Sequence, residues 1–184
     1  MKPKIFLISD THFSHHNIII YCNRPFKHYA EMDSAIIDNW NSVVSDNDTV
    51  YHLGDWTLKP SIMPYFKLLN GQIICIHGSH DRFFGHGYKW HSETLYTKTH
   101  AFKLIHDPKY KGMWNSWVIH GHHHNNHMHK FPFINGKAKT INVSVELIGY
   151  KPLDLDYIES LDIDSIEYMR DINSPINRYE EIKL

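Results

Sequence analysis

The sequence predicts an α/β fold built around a partly parallel β-sheet, and two observations support this prediction. Short apolar runs alternate with helical patterns in the first part of the chain, which gives the β-α-β-α-β order typical of parallel sheets. Several of these runs are apolar at consecutive positions, as in strands that are buried on both faces. With 184 residues and 42% hydrophobic content, the chain suits one domain with a sizeable core, so residues 1–184 are interpreted as a single domain.

Six runs rich in β-branched and aromatic residues are predicted to be strands: residues 4–9, 48–53, 72–77, 101–105, 116–120 and 140–146. Between the first two, apolar residues with helical spacing predict an amphipathic helix, with Asp33 as its N-cap: Ile36, Ile37, Trp40, Val43 and Val44. Residues 61–71 predict a short helix with Pro64 near its first turn. The acidic segment 150–184 predicts one or two short helices on the sheet edge and a weakly ordered end, without further strands.

The composition indicates the cellular compartment of the protein and the classes of partner that it would bind. Nineteen basic and twenty acidic residues give a net charge of -1, so no global field attracts nucleic acid or an anionic membrane. The apolar run before Asp10 is too short for a signal peptide or a membrane span. We therefore expect a cytoplasmic protein with no membrane partner, in which Cys22 and Cys75 are not part of a disulfide framework.

Polar side chains follow five of the predicted strands, where ligand sites gather in open α/β sheets. Two aspartates and four histidines stand out at these positions: Asp10, His12, Asp55, His106, His122 and His124. Six such groups exceed the needs of one four-coordinate metal, and mixed carboxylates and imidazoles suit Mn, Fe or Zn better than Ca. Two metals that share a bridging carboxylate are therefore predicted. Glycines precede Asp55, Ser79 and His122, where each is expected to let the backbone turn tightly.

The ordered motifs resemble the five-motif signature of the calcineurin-like metallophosphoesterases, over residues 5–125. They read Asp10-x-His12, Gly54-Asp55, Gly78-Ser79-His80-Asp81, His106 and Gly121-His122-x-His124. The phrases "DTHFSHHNI", "YCNRPF", "TVYHLGD" and "INVSVE" also resemble a small, single-domain bacterial and phage-type branch of this superfamily. The resemblance implies a four-layer α/β/β/α sandwich of two mixed sheets. It also implies a dinuclear, metal-dependent phosphoesterase.

The resemblance assigns a role to each motif residue. Asp10, His12 and His124 would hold one divalent metal, and His106, His122 and the position of Ser79 would hold the other, with Asp55 bridging. The metals, which would be Mn, Fe, Zn or Ni, would neutralise phosphoryl oxygens and activate a bridging water as the nucleophile. His80 would lie beside the scissile phosphate and stabilise its charge or protonate the leaving group. A phosphodiester is favoured over a monoester.

Ser79 departs from the pattern, because that superfamily normally has an asparagine whose carbonyl oxygen is a ligand. A serine hydroxyl is shorter and a weaker donor, so we expect the second metal to bind less tightly. Ser14 stands where relatives often have glycine, and little consequence is expected. No aspartate follows Asp55 at the spacing that would orient His80.

Other residues have weaker assignments. His15, His16 and Arg24 are candidates for binding the substrate phosphate, and Asp81 and Asp107 are candidates for orienting histidines. His52 is interpreted as structural, and His123 as structural or as a support for a ligand residue. His127 and His129 are interpreted as parts of a solvated loop, with contact to the substrate as the alternative. A basic and aromatic rim for a nucleotide or a single-stranded nucleic-acid end is expected from Lys98, Lys103, Lys109, Tyr110, Lys111, Trp114 and Trp117.

Two alternative functions remain open from the sequence. Residues 122–127, "HHHNNH", can be aligned with the His-x-His-x-Asp-His motif of metallo-β-lactamase-type hydrolases if Asn126 replaces the aspartate. That motif should be followed by further histidine ligands, whereas residues 130–184 contain none. The second alternative is a degenerate relative that binds metal and serves as a binding or scaffold module, which Ser79 alone favours.

Overall fold

The structure, a computed structural model, describes residues 2–82 and 91–179. The strands in these ranges are β1 (Ile5–Ile8), β2 (Thr49–His52), β3 (Gln72–Cys75), β4 (Ser92–Tyr96), β5 (Ala101–Ile105), β6 (Trp117–His120), β7 (Ile134–Asn135), β8 (Thr140–Asn142), β9 (Leu153–Asp154), β10 (Ile166–Met169) and β11 (Asn177–Arg178). The helices are α1 (His16–Tyr21), α2 (Tyr29–Asn41), α3 (Met63–Phe66) and α4 (Leu155–Ser160). All six strands predicted from the sequence are present, although most are shorter at one or both ends.

Two mixed sheets form the framework. The first has four strands in the order β3-β2-β1-β9, in which β1, β2 and β3 are parallel and β9 is antiparallel. The second has seven strands in the order β11-β10-β7-β8-β6-β5-β4, with β5, β6 and β8 parallel to one another. A few helices flank the sheets. This arrangement confirms the predicted α/β fold with two mixed sheets.

The two sheets meet where β1 and β8 end. Ser9, directly after β1, forms an isolated parallel bridge with Ser144, which lies just beyond β8. The Ser9 amide donates to the Val143 carbonyl at 3.0 Å, and the Val145 amide donates to the Ser9 carbonyl at 3.1 Å. This seam aligns the carboxyl ends of parallel strands from both sheets. The loops that leave those strands therefore emerge side by side.

Helix α2 begins one turn earlier than the sequence suggests. Met32, Ile36 and Trp40 recur at intervals of four and form its buried face. The helix is capped by His28, whose side chain accepts the Ala30 amide at 3.2 Å. The predicted N-cap at Asp33 was therefore wrong. Asp33 instead accepts the Ser14 amide with both carboxylate oxygens at 3.0 Å, and so ties the helix to the loop after β1.

The remaining helices are short. Helix α3 is one turn, with a proline in its first turn as predicted. Helix α1 was missed, because its six residues offer little periodicity beyond Ile18 and Ile19.

The prediction that residues 150–184 contain no strand was wrong. Strand β9 pairs with the edge of β1, and β10 pairs with β7 and β11, so the C-terminal segment extends both sheets. These strands have two to four residues and bury Leu153, Ile166 and Met169. Such short strands depend on tertiary pairing more than on a local pattern. The predicted weakly ordered end falls partly on residues 180–184, which lie outside the described residues.

Strands β4 and β7 were also missed, for a similar reason. Strand β4, with the sequence "SETLY", lies at the sheet edge and buries Leu95 alone, and β7 has only two residues.

One hydrophobic cluster includes residues from both sheets and from α2, α4 and the loop before α2. Cys22 and Cys75 are both buried in it as free thiols. Among the described residues, no helix has the length and apolar character required to cross a membrane.

Helix α2 allows a matched test of this packing. Ile36 is fully buried and Ile37 is only half-buried. We expect Ile36→Ala to lower the free energy of unfolding by about 2–5 kcal/mol, because it leaves a cavity. Ile37→Ala carries the same change in helix propensity and should cost clearly less. Urea denaturation of both variants measures the difference, and equal losses would contradict the assigned buried face.

Candidate metal centre

The loops at the seam bring the sequence-predicted ligands together. Asp10 and His12 follow β1, Asp55 follows β2, and His106 follows β5. His122 and His124 follow β6, and Ser79 and His80 follow β3. Their side chains form two adjacent clusters, which we call the first and the second cluster.

The first cluster consists of Asp10, His12 and His124, all of which are buried. Their ligand atoms lie within 4.8 Å of one another. The His124 Nε2 atom is 3.6 Å from Asp10 Oδ1, and the rings of His12 and His124 stack with centroids 5.1 Å apart. One carboxylate and two imidazoles thus converge on a common point.

The second cluster consists of Asp55, His106 and His122, whose ligand atoms also lie within 4.8 Å of one another. The His106 Nε2 atom is 3.1 Å from His122 Nδ1. The Ser79 hydroxyl lies 3.4 Å from Asp55 Oδ2 and 3.5 Å from each of these two imidazole nitrogens. Ser79 therefore borders the second cluster.

Asp55 lies between the two clusters. Its Oδ2 atom is 3.6 Å from His12 Nε2 of the first cluster and 3.4 Å from His106 Nε2 of the second. Its Oδ1 atom accepts the His80 backbone amide at 2.8 Å, which fixes the carboxylate in place. Asp55 is thus the carboxylate that can contact cations in both clusters.

The residues fit divalent metal ions. The His12 Nε2 atom is buried and has no hydrogen-bond partner among the described residues, and a buried polar atom in that state costs about 1–3 kcal/mol. It faces carboxylate Asp55 Oδ2 at a distance too long for a hydrogen bond. A cation between these atoms would satisfy both. Imidazole nitrogens with carboxylate oxygens suit Mn, Fe or Zn.

Several ligand residues have strained backbones. The φ angles are 60° at Asp10, 50° at His12, 59° at Asp55, 71° at His122 and 50° at His124. Residues with a Cβ avoid this left-handed region, and each such residue costs of the order of 1–3 kcal/mol. Strain of this kind concentrates at functional sites, where the surrounding structure enforces it.

Two glycines allow the loops to approach one another. Gly54 has a φ of +97°, and a Cβ there would lie 2.5 Å from the Gly78 Cα. At Gly121, a Cβ would lie 2.1 Å from Ser9 Oγ and 2.2 Å from Asp10 Oδ2. The positive φ of Gly54 therefore agrees with the tight turn that was expected there. Gly121, whose φ is not positive, is required by the close approach of the loop after β1.

Hydrogen bonds on the far side of the rings orient the ligand histidines. His106 Nδ1 lies 2.8 Å from the Leu53 carbonyl, and His124 Nδ1 lies 3.0 Å from Glu146 Oε1. Each acceptor favours the proton on Nδ1 and leaves Nε2 free to bind metal. His122 is reversed, because its Nε2 faces Asp107 Oδ2 at 3.5 Å and its Nδ1 faces the cluster. The predicted role of Asp107 as a partner of a histidine agrees with this contact.

Nearby carboxylates raise the pKa of two of the four cluster histidines, whereas burial lowers the pKa of the other two, His12 and His122. Burial disfavours the charged form of His106, but the hydrogen bond to Asp55 and the charges of Asp10 and Asp55 raise its pKa to about 9. Burial likewise opposes the charged form of His124, and the charges of Glu146 and Asp10 raise its pKa well above the usual value. Buried carboxylates that stabilise cationic imidazoles also stabilise metal cations at the same place.

The protein shares 49% identity over 176 residues with the uncharacterized protein MJ1445 of Methanocaldococcus jannaschii, and the match covers 92% of this chain and 97% of that protein. The chain belongs to the same family. Its two mixed sheets agree with the fold that the resemblance to the calcineurin-like metallophosphoesterases implies.

Among solved structures, the protein of unknown function AQ665 from Aquifex aeolicus is similar, with a TM-score of 0.69 and 25% identity, over 87% of this chain and 100% of that one. An archaeal phosphodiesterase is only weakly similar, with a TM-score of 0.40 and 18% identity, over 77% of this chain and 82% of that one. No protein-family model matches the chain.

In this family member, Arg24 is not placed to bind substrate, so that prediction was wrong. Its side chain is fully buried, and its guanidinium contacts Glu146 at 2.7 Å. The same group donates to the carbonyls of Asp10 at 2.8 Å and Thr11 at 2.9 Å. Arg24 therefore holds the loop after β1 through its backbone carbonyls.

Asp81 acts on backbone amides and not on a histidine, which corrects its predicted role. Its carboxylate accepts the amides of Asp55 and Gly78 at 2.8 Å and that of Trp56 at 2.9 Å. It thereby clamps the loops after β2 and β3 together.

Glu146 contacts the candidate metal centre, and the sequence analysis assigned it no role. Its side chain is 2% exposed, accepts from Arg24, and holds His124. The only signal was its place at the end of "INVSVE", a phrase quoted for the resemblance but given no role.

The histidines predicted to contact substrate differ in position. His80 is exposed, and its ring centroid is 5.6 Å from that of His12. The half-buried His15 has its Nδ1 atom 3.4 Å from His12 Nδ1, so it also borders the first cluster. His16 is exposed on α1 and contacts the ring of His28, with centroids 5.7 Å apart. The contacts of His16 are thus away from both clusters.

Other predictions can be compared with the contacts. His52 is buried, bonded to Thr11 Oγ1 at 3.0 Å and stacked on Trp56, as expected. His123 stacks on Phe131 with centroids 3.5 Å apart, which also agrees with a structural role.

Ser14 matters more than expected. Besides its amide bonds to Asp33, its hydroxyl lies 2.6 Å from the hydroxyl of Tyr65. It therefore helps to hold the loop after β1.

The predicted rim does not form one basic surface. Trp117 is buried and donates to Asp164 at 2.8 Å, and the Trp114 indole donates to the Trp117 carbonyl at 3.0 Å. Lys103 donates to the Lys111 carbonyl at 3.1 Å. The metallo-β-lactamase reading gains no support either, because His122 and His124 lie in separate clusters and His127 is exposed.

The contact of Glu146 with His124 predicts a loss of metal affinity in Glu146→Gln. We expect a reduction of about 10- to 100-fold, the usual effect of removing a carboxylate that orients a ligand histidine. Titration calorimetry with Mn²⁺ or Zn²⁺ measures it, at a temperature where circular dichroism shows a folded variant. Glu167→Gln, at an exposed position of β10, is the control. Unchanged affinity in folded Glu146→Gln would remove Glu146 from the centre.

Proposed function

We propose that the protein is a metal-dependent phosphoester hydrolase that uses two divalent cations and prefers phosphodiesters to monoesters. The observation that carries the proposal is the position of Asp55, with one carboxylate oxygen 3.6 Å from a histidine of the first cluster and 3.4 Å from a histidine of the second. A carboxylate shared in this way suits a pair of cations better than a single one. Two bound cations would supply neutralisation of the phosphoryl oxygens and activation of a water for in-line attack.

The side chains around the clusters would bind and orient the ester. His80 follows β3 on the exposed side of the centre, and its backbone amide is anchored to Asp55 at 2.8 Å. From there its imidazole can donate a hydrogen bond to a phosphoryl oxygen or a proton to the leaving oxygen. His15, half-buried beside His12, borders the same face and is the second candidate for contacting the phosphate.

The pairing of two basic side chains with carboxylates supports the preference for a diester. A phosphomonoester carries more negative charge than a diester, so it gains more from a free cationic side chain. Arg24 is buried against Glu146. Lys109 pairs with Asp107 at 2.6 Å. Neither residue offers an uncompensated charge, which favours the singly charged diester.

Hydrolysis with restored metals tests the proposal. The protein is stripped of metal and then supplied with Mn, Ni, Zn or Mg. Two quantities are measured: the amount of bound metal, and the turnover of bis(p-nitrophenyl) phosphate and of p-nitrophenyl phosphate. We expect faster turnover of the diester. We also expect His80→Ala to lower kcat by about 10²–10⁴-fold, the usual contribution of a general acid, without loss of metal. Asp55→Asn should lose both metal and activity.

His100→Ala is the matched control, because His100 precedes β5 at the end opposite His106 and pairs with Asp164 at 3.1 Å. It should leave turnover unchanged. One equivalent of metal or less, with no turnover of either ester, would overturn the proposal and favour a metal-binding module.

Ser79 provides a separate test of the second cluster. Its hydroxyl is within 3.5 Å of the histidine nitrogens of that cluster, but a neutral hydroxyl is a weak metal donor. We expect Ser79→Asn to raise the affinity of the weaker metal site by roughly tenfold, equivalent to about 1.4 kcal/mol. Ser79→Ala should lower it. Calorimetric titration resolves the two sites, and identical isotherms for the three proteins would show that residue 79 is not a ligand.

A further inference from the structure

A cavity of about 430 Å³ opens beside the second cluster. Three of the residues that line it, Ser79, His106 and His122, belong to the candidate metal centre. The other described residues that line it come from other parts of the chain: His77, His91, Ile105, Asp107, Lys109 and Tyr110. The cavity is thus continuous with the place where a phosphate group would be held.

The volume of the cavity suits a small organic group. Small-molecule sites typically enclose about 300–1,000 Å³, so this cavity lies near the lower end of that range. A phosphoester centred on the two clusters would direct one substituent into it, because Ser79 and His122 form part of its wall. The shape therefore predicts a subsite for the organic part of the ester.

The lining of the cavity is aromatic and carries a compensated charge. Tyr110 is 69% exposed, and the Lys109 ammonium lies 4.6 Å from the centre of its ring. The rings of His77 and His91 meet edge to face with centroids 5.9 Å apart. Lys109 is neutralised by Asp107 at 2.6 Å. Among the described lining residues, planar rings and a lysine that is paired with a carboxylate favour an uncharged planar group over a second phosphate.

We propose that this cavity binds the organic substituent of the phosphoester and that this substituent is a planar aromatic group, such as the base of a nucleotide. The inference rests on the proposed phosphoesterase function and names its substrate class. Tyr110 supplies the stacking surface, as aromatic side chains do for bases in single-stranded nucleic acids. It is a residue that determines specificity and has no part in the metal centre.

The same contacts argue against an extended strand as the ligand. A strand would require a basic groove that follows several phosphates. Lys109, the lysine among the described lining residues, is directed to Asp107, and Lys103 on β5 is directed to the Lys111 carbonyl. The site therefore accommodates one terminal aromatic group and not a run of phosphates.

Binding of three phosphate compounds to the metal-loaded protein tests the inference. Adenosine 5′-monophosphate, ribose 5-phosphate and inorganic phosphate are compared by titration calorimetry. We expect adenosine monophosphate to bind roughly tenfold more tightly than ribose 5-phosphate, a difference of about 1.4 kcal/mol. Tyr110→Ala should abolish that difference, and Tyr110→Phe should retain it. Tyr96→Ala is the matched control, since Tyr96 is 75% exposed on β4 and does not line the cavity.

The outcomes separate this inference from the proposed function. If phosphate binds and diesters are hydrolysed, but adenosine monophosphate binds no better than ribose 5-phosphate, the cavity inference is wrong and the function stands. If adenosine monophosphate binds through Tyr110 but no ester is hydrolysed, the function fails and the cavity stands as an aromatic site. Tighter binding that survives in Tyr110→Ala would overturn the assignment of the stacking surface. Benzyl phosphate as a fourth compound distinguishes a nucleobase from a simple aryl group.

Discussion

The geometry of the candidate metal centre depends on the buried ion pair between Arg24 and Glu146. The two side chains are 0% and 2% exposed, and their closest atoms are 2.7 Å apart. Arg24 lies just before α2 and Glu146 lies just beyond β8, so the pair joins segments that serve different sheets. On one side, Arg24 holds the carbonyls of Asp10 and Thr11. On the other side, Glu146 holds His124.

A buried ion pair is seldom the most stable choice in a protein interior. The desolvation of both charges often exceeds their attraction, and apolar side chains of similar size can serve stability as well. Apolar replacements could not hold the two backbone carbonyls or the His124 ring. The pair therefore matters for the groups that it holds in place more than for its contribution to stability. It fixes the loop after β1 relative to His124. Removing one partner would leave the other charge buried and uncompensated.

The sequence predicted the candidate ligands that follow the strands better than the residues that hold those ligands in place. Parallel strands place their carboxyl ends at one edge, so Asp10, Asp55 and His106 could be grouped from apolar runs followed by polar side chains. The roles of Arg24 and Glu146 could not be found in this way. An arginine near a phosphate site and an arginine buried against a glutamate look alike in a sequence. The contact between Arg24 and Glu146, which lie 122 positions apart in the chain, distinguishes the two cases.

The strained backbone of the ligand residues explains how the loops become ordered. A glycine would relieve the left-handed geometry at Asp10 or Asp55, but it would have no side chain to bind a cation. The strain is offset by backbone bonds, since the Asp10 amide donates to the Gly54 carbonyl at 2.9 Å and the His12 amide donates to the Asp55 carbonyl at 3.0 Å. The loops after β1 and β2 thus hold each other in the binding geometry. Ser79, which is exposed, is the proposed ligand that is least fixed by burial.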